Sequence, residues 1–142
     1  MKVLLVTACE RIINDPEAGA CLIALFHDIK IQVQKDAEIP RNAVVPQQWS
    51  VFVKFGLEPH EEGKDYTLIT DILWPDGTSF VTGYELRANQ PTKDGMTFNL
   101  RNAGFPMGQI GKVVVRFKLI GDGKDVCEPF EISVNVRQEK IL

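Results

Sequence analysis

The sequence predicts an all-β protein, an antiparallel β-sandwich of about seven to nine short strands. Three features point there. Apolar and polar residues alternate with period two in several stretches, most clearly over residues 49–55, 66–74, 113–119 and 130–136. Turn-forming residues, such as Pro75-Asp76-Gly77 and Gly121-Asp122-Gly123, punctuate the chain between them. No stretch carries the pattern of a long helix.

Residues 47–77 are the expected organising unit, a strand, a charged loop and a second strand. Trp49, Val51, Val53 and Phe55 fall on one face, opposite Ser50 and Lys54, with Phe52 a lone apolar residue on the second face. Tyr66, Leu68, Ile72 and Trp74 share a face opposed by Asp65, Thr67 and Asp71. Residues 56–64 are too long for a two-residue turn and suit an open hairpin loop, so the two strands are expected to pair.

From the start of the chain, residues 2–8 are aliphatic on both faces and read as a strand covered on each side or one near the sheet centre. Residues 10–19 break that pattern, with Asn14-Asp15-Pro16 as turn chemistry. Residues 20–26 (ACLIALF) fit a buried strand or a helical turn or two, the strand being favoured. After a His27-Asp28 corner, Ile29, Ile31 and Val33 alternate with Lys30, Gln32 and Gln34 as an amphipathic strand. Residues 35–46 are expected to be extended and unpaired, because Pro40 and Pro46 lack ladder donors. Two shorter strands, 80–87 and 96–100, flank the turn-rich residues 89–95, and 103–111 is a Gly/Pro-punctuated crossover. Residues 111–136 form the clearest hairpin, with Gly and Asp at a tip that calls for positive φ.

Size and composition narrow the reading further. A chain of 142 residues fits one domain over its whole length and buries a core without metal or disulfide support. The net charge of −3, with basic residues scattered among acids, argues against nucleic acid or membrane as a partner. Cys9, Cys21 and Cys127 are an odd count with no CxxC spacing and read as reduced thiols, a Cys9–Cys21 disulfide being the alternative. Val6-Thr7-Ala8-Cys9 looks like a lipoprotein cleavage box, but the apolar stretch before it is shorter than the ~7–15 residues an export signal uses. With no apolar run near the ~18 residues of a membrane helix, a cytoplasmic location is expected.

The opening strand, the charged turn before residues 20–31, the strand–loop–strand ending in Trp74-Pro75-Asp76-Gly77 and the C-terminal hairpin together resemble an uncharacterised bacterial family of small single-domain proteins. The resemblance implies an immunoglobulin-like sandwich. It brings no catalytic or binding residues and no cofactor.

Candidate chemistry is sparse. His27-Asp28 is an adjacent imidazole–acid pair, and strand neighbours point to opposite faces. His60-Glu61-Glu62 in the charged loop offers one imidazole and two carboxylates, a weak cation site at best. Trp49, Trp74 and Tyr84 would stack against sugar rings if they shared an exposed face, although the phase of all three favours the core. The expected function is therefore a non-catalytic protein-interaction or structural module, binding a partner or self-associating through an exposed edge. A small-ligand or carbohydrate binder using those aromatics is the second reading. A hydrolase or metal enzyme using His27 and His60 is the third.

Overall fold

The structure is a computed structural model and describes residues 1–15, 19–25, 27–88 and 95–141. In chain order the strands are β1 (Lys2–Asp15), β2 (Gly19–Leu25), β3 (Asp28–Gln34), β4 (Val44–Val45), β5 (Trp49–Gly56), β6 (Tyr66–Leu73), β7 (Ser79–Arg87), β8 (Met96–Asn102), β9 (Phe105–Pro106), β10 (Gly111–Gly121), β11 (Lys124–Asp125) and β12 (Phe130–Ile141). A single 3-10 turn, Pro59–Glu61, is the other regular element among the described residues. Setting aside the two-residue β4, β9 and β11, nine strands remain, so the expected all-β architecture stands.

Of the two large sheets, one has the order β2-β1-β5-β8 and the other β3-β12-β10-β6-β7, with β11 folded back on β10, and β4 and β9 pair as a small third sheet. Every pairing is antiparallel except β3 beside β12, which is parallel. The inward residues of both sheets make one core: Val51, Val53 and Phe55 from β5, Phe98 and Leu100 from β8, Leu68 and Ile72 from β6, and Val113, Val115, Phe117 and Leu119 from β10. Phe130 of β12 stacks on Phe117 at 5.1 Å and meets Phe55 of the opposite sheet edge-on at 5.7 Å. Those rings clamp the two layers together, each buried large side chain contributing about 1.5–3 kcal/mol.

The alternation of residues 49–55 and 66–74 reports faces correctly and partners incorrectly. β5 and β6 are not a hairpin; they lie in opposite sheets. β5 sits between β1 and β8, with Val53 opposite Val6 and Phe98, whereas β6 sits between β10 and β7. A period of two states which side of a strand is dry, and two dry sides are satisfied as well by stacking as by edge pairing. The connection is held by Glu61, whose Oε1 accepts from the Met1 ammonium at 2.7 Å and from the Glu58 N–H at 2.8 Å. The Tyr66 hydroxyl donates to the Glu61 carbonyl at 2.9 Å. Burial pushes the Glu61 carboxyl up, and these donors to its charged form more than offset that, leaving it below the usual range.

β1 does not break at residue 10. Its pairing with β5 ends at Cys9 opposite Ser50, and from there Cys9 to Asp15 pairs with β2 alone. The turn expected at Asn14-Asp15-Pro16 is displaced, since Asn14 and Asp15 face Ala20 and Gly19 across the ladder and Pro16 lies outside the described residues. Residues 19–25 are a strand, as favoured, while Phe26 and the turn-rich residues 89–94 fall outside the description. The segment expected to be unpaired also contributes a strand, because Val44 and Val45 face Pro106 and Phe105. The 111–136 hairpin is borne out, Val113 facing Val134 and Val115 facing Ile132.

Phe52, the apolar exception on β5, packs with Cys9 and Ile12 on the outer face of its sheet, with Leu22 against them. This second cluster ties the root of the β1–β2 arm to the body. Cys9, Cys21 and Cys127 are free thiols. Cys9 faces Leu25 and Cys21 faces Ile13, so the register separates the two early cysteines along the arm.

Candidate functional site

Each residue singled out from the sequence has a definite place. Trp49 is wholly enclosed, its Nε1–H donating to the Gly104 carbonyl at 2.8 Å and its ring edge-on to Phe105 at 5.3 Å. Trp74 is buried edge-on to Phe80 at 5.5 Å. Tyr84, on β7, is half exposed and not in the core as its phase suggested, because β7 is the outer strand of its sheet. Trp49 starts β5 and Trp74 follows the end of β6 in the other sheet, and both are buried, so the three aromatics do not share an open face.

The carboxylate of Asp28 grips the Arg137 guanidinium, at 2.6 Å to Nη2 and 3.1 Å to Nε, and accepts from Asn135 Nδ2 at 3.3 Å. The Arg137 hydrogen bonds hold that carboxyl below its ordinary range, so its partner is an arginine across the parallel β3–β12 pair and not His27. Glu61 beside His60 faces inward as described. Among the described residues no three of His, Cys, Asp or Glu converge as a metal site would require. No helix among them is long and apolar enough to cross a membrane.

The loops at the Pro75-Asp76-Gly77 turn carry a polar knot. Asp76 Oδ1 accepts from the Thr78 hydroxyl at 2.6 Å and the Thr78 N–H at 2.9 Å, while Oδ2 accepts from Arg41 and Gln109, both at 3.2 Å. Those bonds, the Thr78 donors foremost, lower the Asp76 carboxyl from 3.8 to about 2. A carboxylate depressed on folding adds stability above its unfolded pKa of about 3.9 and loses it as pH falls through the folded value. Melting temperature is therefore expected to drop between roughly pH 4 and 2, and the Asp76→Asn variant to show a shallower drop over that window by circular dichroism.

The sheet edges differ in chemistry. β3 carries Asp28 and Lys30, β8 carries Arg101, and β7 carries Glu85 and Arg87 with two register shifts beside it. β2 (GACLIAL) has no charged residue at all. Its Leu25 is 62% exposed, and Ile13 of the adjoining β1 is 45% exposed. Folded proteins blunt their edges with charges, proline or bulges to prevent unwanted pairing. Of the outer strands of the two large sheets, β2 alone lacks a charge, and the arm carries it beyond the body of the sheet. The missing charge was readable in residues 19–25; that these residues form an edge was not, because it depends on which strand β1 chooses.

At the root of the arm is a cleft of about 330 Å³ lined by Glu10, Arg11, Ile12, Gln48, Trp49, Ser50, Arg101, Asn102 and Ala103. It opens where β5 begins and β8 ends while β1 continues past both.

The chain was compared with protein-family models and with curated proteins, and neither comparison gives a match.

Proposed function

We propose that the protein is a non-catalytic interaction module, an immunoglobulin-like sandwich that engages a protein partner by strand addition at β2. The observation that carries this reading is the uncharged seven-residue edge of β2, presented on an arm outside the body of the sheet. Unpaired N–H and C=O groups along such an edge supply main-chain hydrogen bonds to an incoming strand, and the apolar side chains beside them supply burial. The immunoglobulin-like assignment is supported by the split of a β1-β5-β8 layer from a β12-β10-β6-β7 layer, with β3 running parallel to β12 at the edge. Unpaired thiols at Cys9, Cys21 and Cys127 favour a reducing, cytoplasmic location.

Cys21 and Leu25 are exposed, so lysine at both positions costs the fold little while placing charge on the edge. Partner recovered from native-host extract, or self-association measured by light scattering, is expected to fall at least tenfold in the Cys21→Lys/Leu25→Lys variant at unchanged melting temperature. Equal recovery and equal mass for the two proteins would remove the β2 edge from the reading.

A further inference from the structure

The cleft at the root of the arm lies on the opposite flank of β1 from β2 and carries a different chemistry. Three observations bear on it. First, β1 loses its β5 neighbour after Cys9 yet remains a strand to Asp15. Over residues 10–15 the flank that faced β5 has no strand beside it among the described residues, and alternate residues of an antiparallel strand turn N–H and C=O to such a flank. Second, the cleft is lined by two guanidinium groups, Arg11 and Arg101, against one carboxylate, Glu10. The ion pairs of the described residues engage Arg41, Arg116 and Arg137, and neither Arg11 nor Arg101. Third, Asn102 lines the cleft, and its Nδ2 group has no hydrogen-bond acceptor among the described residues.

We infer that this cleft receives the C-terminal end of an extended peptide, whose main chain continues the line of β5 along β1 and whose terminal carboxylate is held by Arg11 and Arg101. The polarity follows from the ladder. β5 runs antiparallel to β1 and starts at Trp49. A peptide paired antiparallel to β1 in the same line therefore runs toward Trp49 and ends beside Gln48, Ser50, Arg101 and Asn102. Its last atoms are a carboxylate, the group that a guanidinium binds in a two-pronged, charge-assisted fashion. The volume lies within the range of about 300–1,000 Å³ usual for ligand clefts, enough for the last residues and not for a folded partner. Trp49 in the wall supplies an intrinsic reporter.

The test uses a hexapeptide of alternating Val and Thr with a free C-terminal carboxylate, the same peptide as its C-terminal amide, and inorganic phosphate, each titrated against the whole chain by calorimetry and Trp fluorescence. The carboxylate peptide is expected to bind at least about tenfold more tightly than the amide, and Arg101→Ala to erase that preference while Arg101→Lys retains part of it. Phosphate is expected to compete weakly. Leu25→Lys, on the other flank of the arm, is expected to leave the titration unchanged, which separates this site from the β2 edge. Equal binding of carboxylate and amide would overturn the inference. So would phosphate binding as tightly as the peptide, or an Arg101→Ala titration indistinguishable from the parent.

Discussion

Replacing Phe117 with Ala is expected to lower unfolding free energy by about 3–5 kcal/mol, the range for removing a buried aromatic ring. Phe117 is about 1% exposed at the middle of β10, between Thr70 of β6 and Phe130 of β12. It stacks on Phe130 with an interplanar angle of 22°, and Phe130 in turn meets Phe55, which meets Phe98 at 5.8 Å. Truncation thus removes one ring from a chain of four that spans both sheets, and the cavity is walled by β-strands that have little freedom to collapse. Against a typical domain stability of about 5–15 kcal/mol, the loss is a large fraction of the whole. Phe117→Leu keeps most of the volume and is expected to cost less. Chemical denaturation monitored by Trp fluorescence and by circular dichroism measures both. A Phe117→Ala loss under about 1 kcal/mol would mean that the two sheets are not packed through these rings.

The success of the sequence on β10 and its failure on β5–β6 have one physical root. Val113, Val115, Phe117 and Leu119 are all buried because side chains on a strand alternate whatever the neighbour is, and that local geometry is written in the residues. Gly121-Asp122-Gly123, with Asp122 at a positive φ of 52°, folds β11 back on β10, and residues 122–129 carry the chain on to β12. β5 and β6 carry equally clear alternation, and residues 57–65 between them are about as long a connection as residues 122–129, so the choice between pairing and stacking is made by the sum of distant contacts and not by loop length. The same holds for β1. Glu10 and Arg11 look like a break, yet both are exposed on an arm whose other flank is supplied by β2, so polar residues there cost nothing. The composition of the cleft residues was legible one by one. Their convergence was not, since Arg11, Ser50 and Arg101 come from three strands brought together only by the register of β1 and β8 on β5.

The second large effect is expected at Gly108, where a methyl group has no space. A Cβ built there meets the Pro40 carbonyl oxygen at 2.3 Å and the Arg41 carbonyl oxygen at 2.6 Å, both backbone atoms. That segment has little freedom to retreat. The Met107 and Gly108 N–H groups donate to the Ala43 carbonyl at 3.0 and 3.1 Å, and Gln109 Nε2 donates to the Arg41 carbonyl at 3.3 Å. Overpacking of this kind costs about 1–3 kcal/mol, here with hydrogen bonds lost in addition. Gly63 is the useful comparison: its φ is +70° and nothing lies within 4 Å of a built Cβ, so Ala there bears only the left-handed backbone penalty of about 1–2 kcal/mol. Gly108→Ala is expected to be the more damaging of the two. Because the clash sits beside Gln109, which donates to Asp76 at 3.2 Å, it should also loosen the polar knot and flatten the melting profile between roughly pH 4 and 2. Gly63→Ala, remote from Asp76, should keep the slope of the parent protein. If both variants lose the same stability and keep the same pH profile, the loops around Gly108 are not clasped as the carbonyl contacts require.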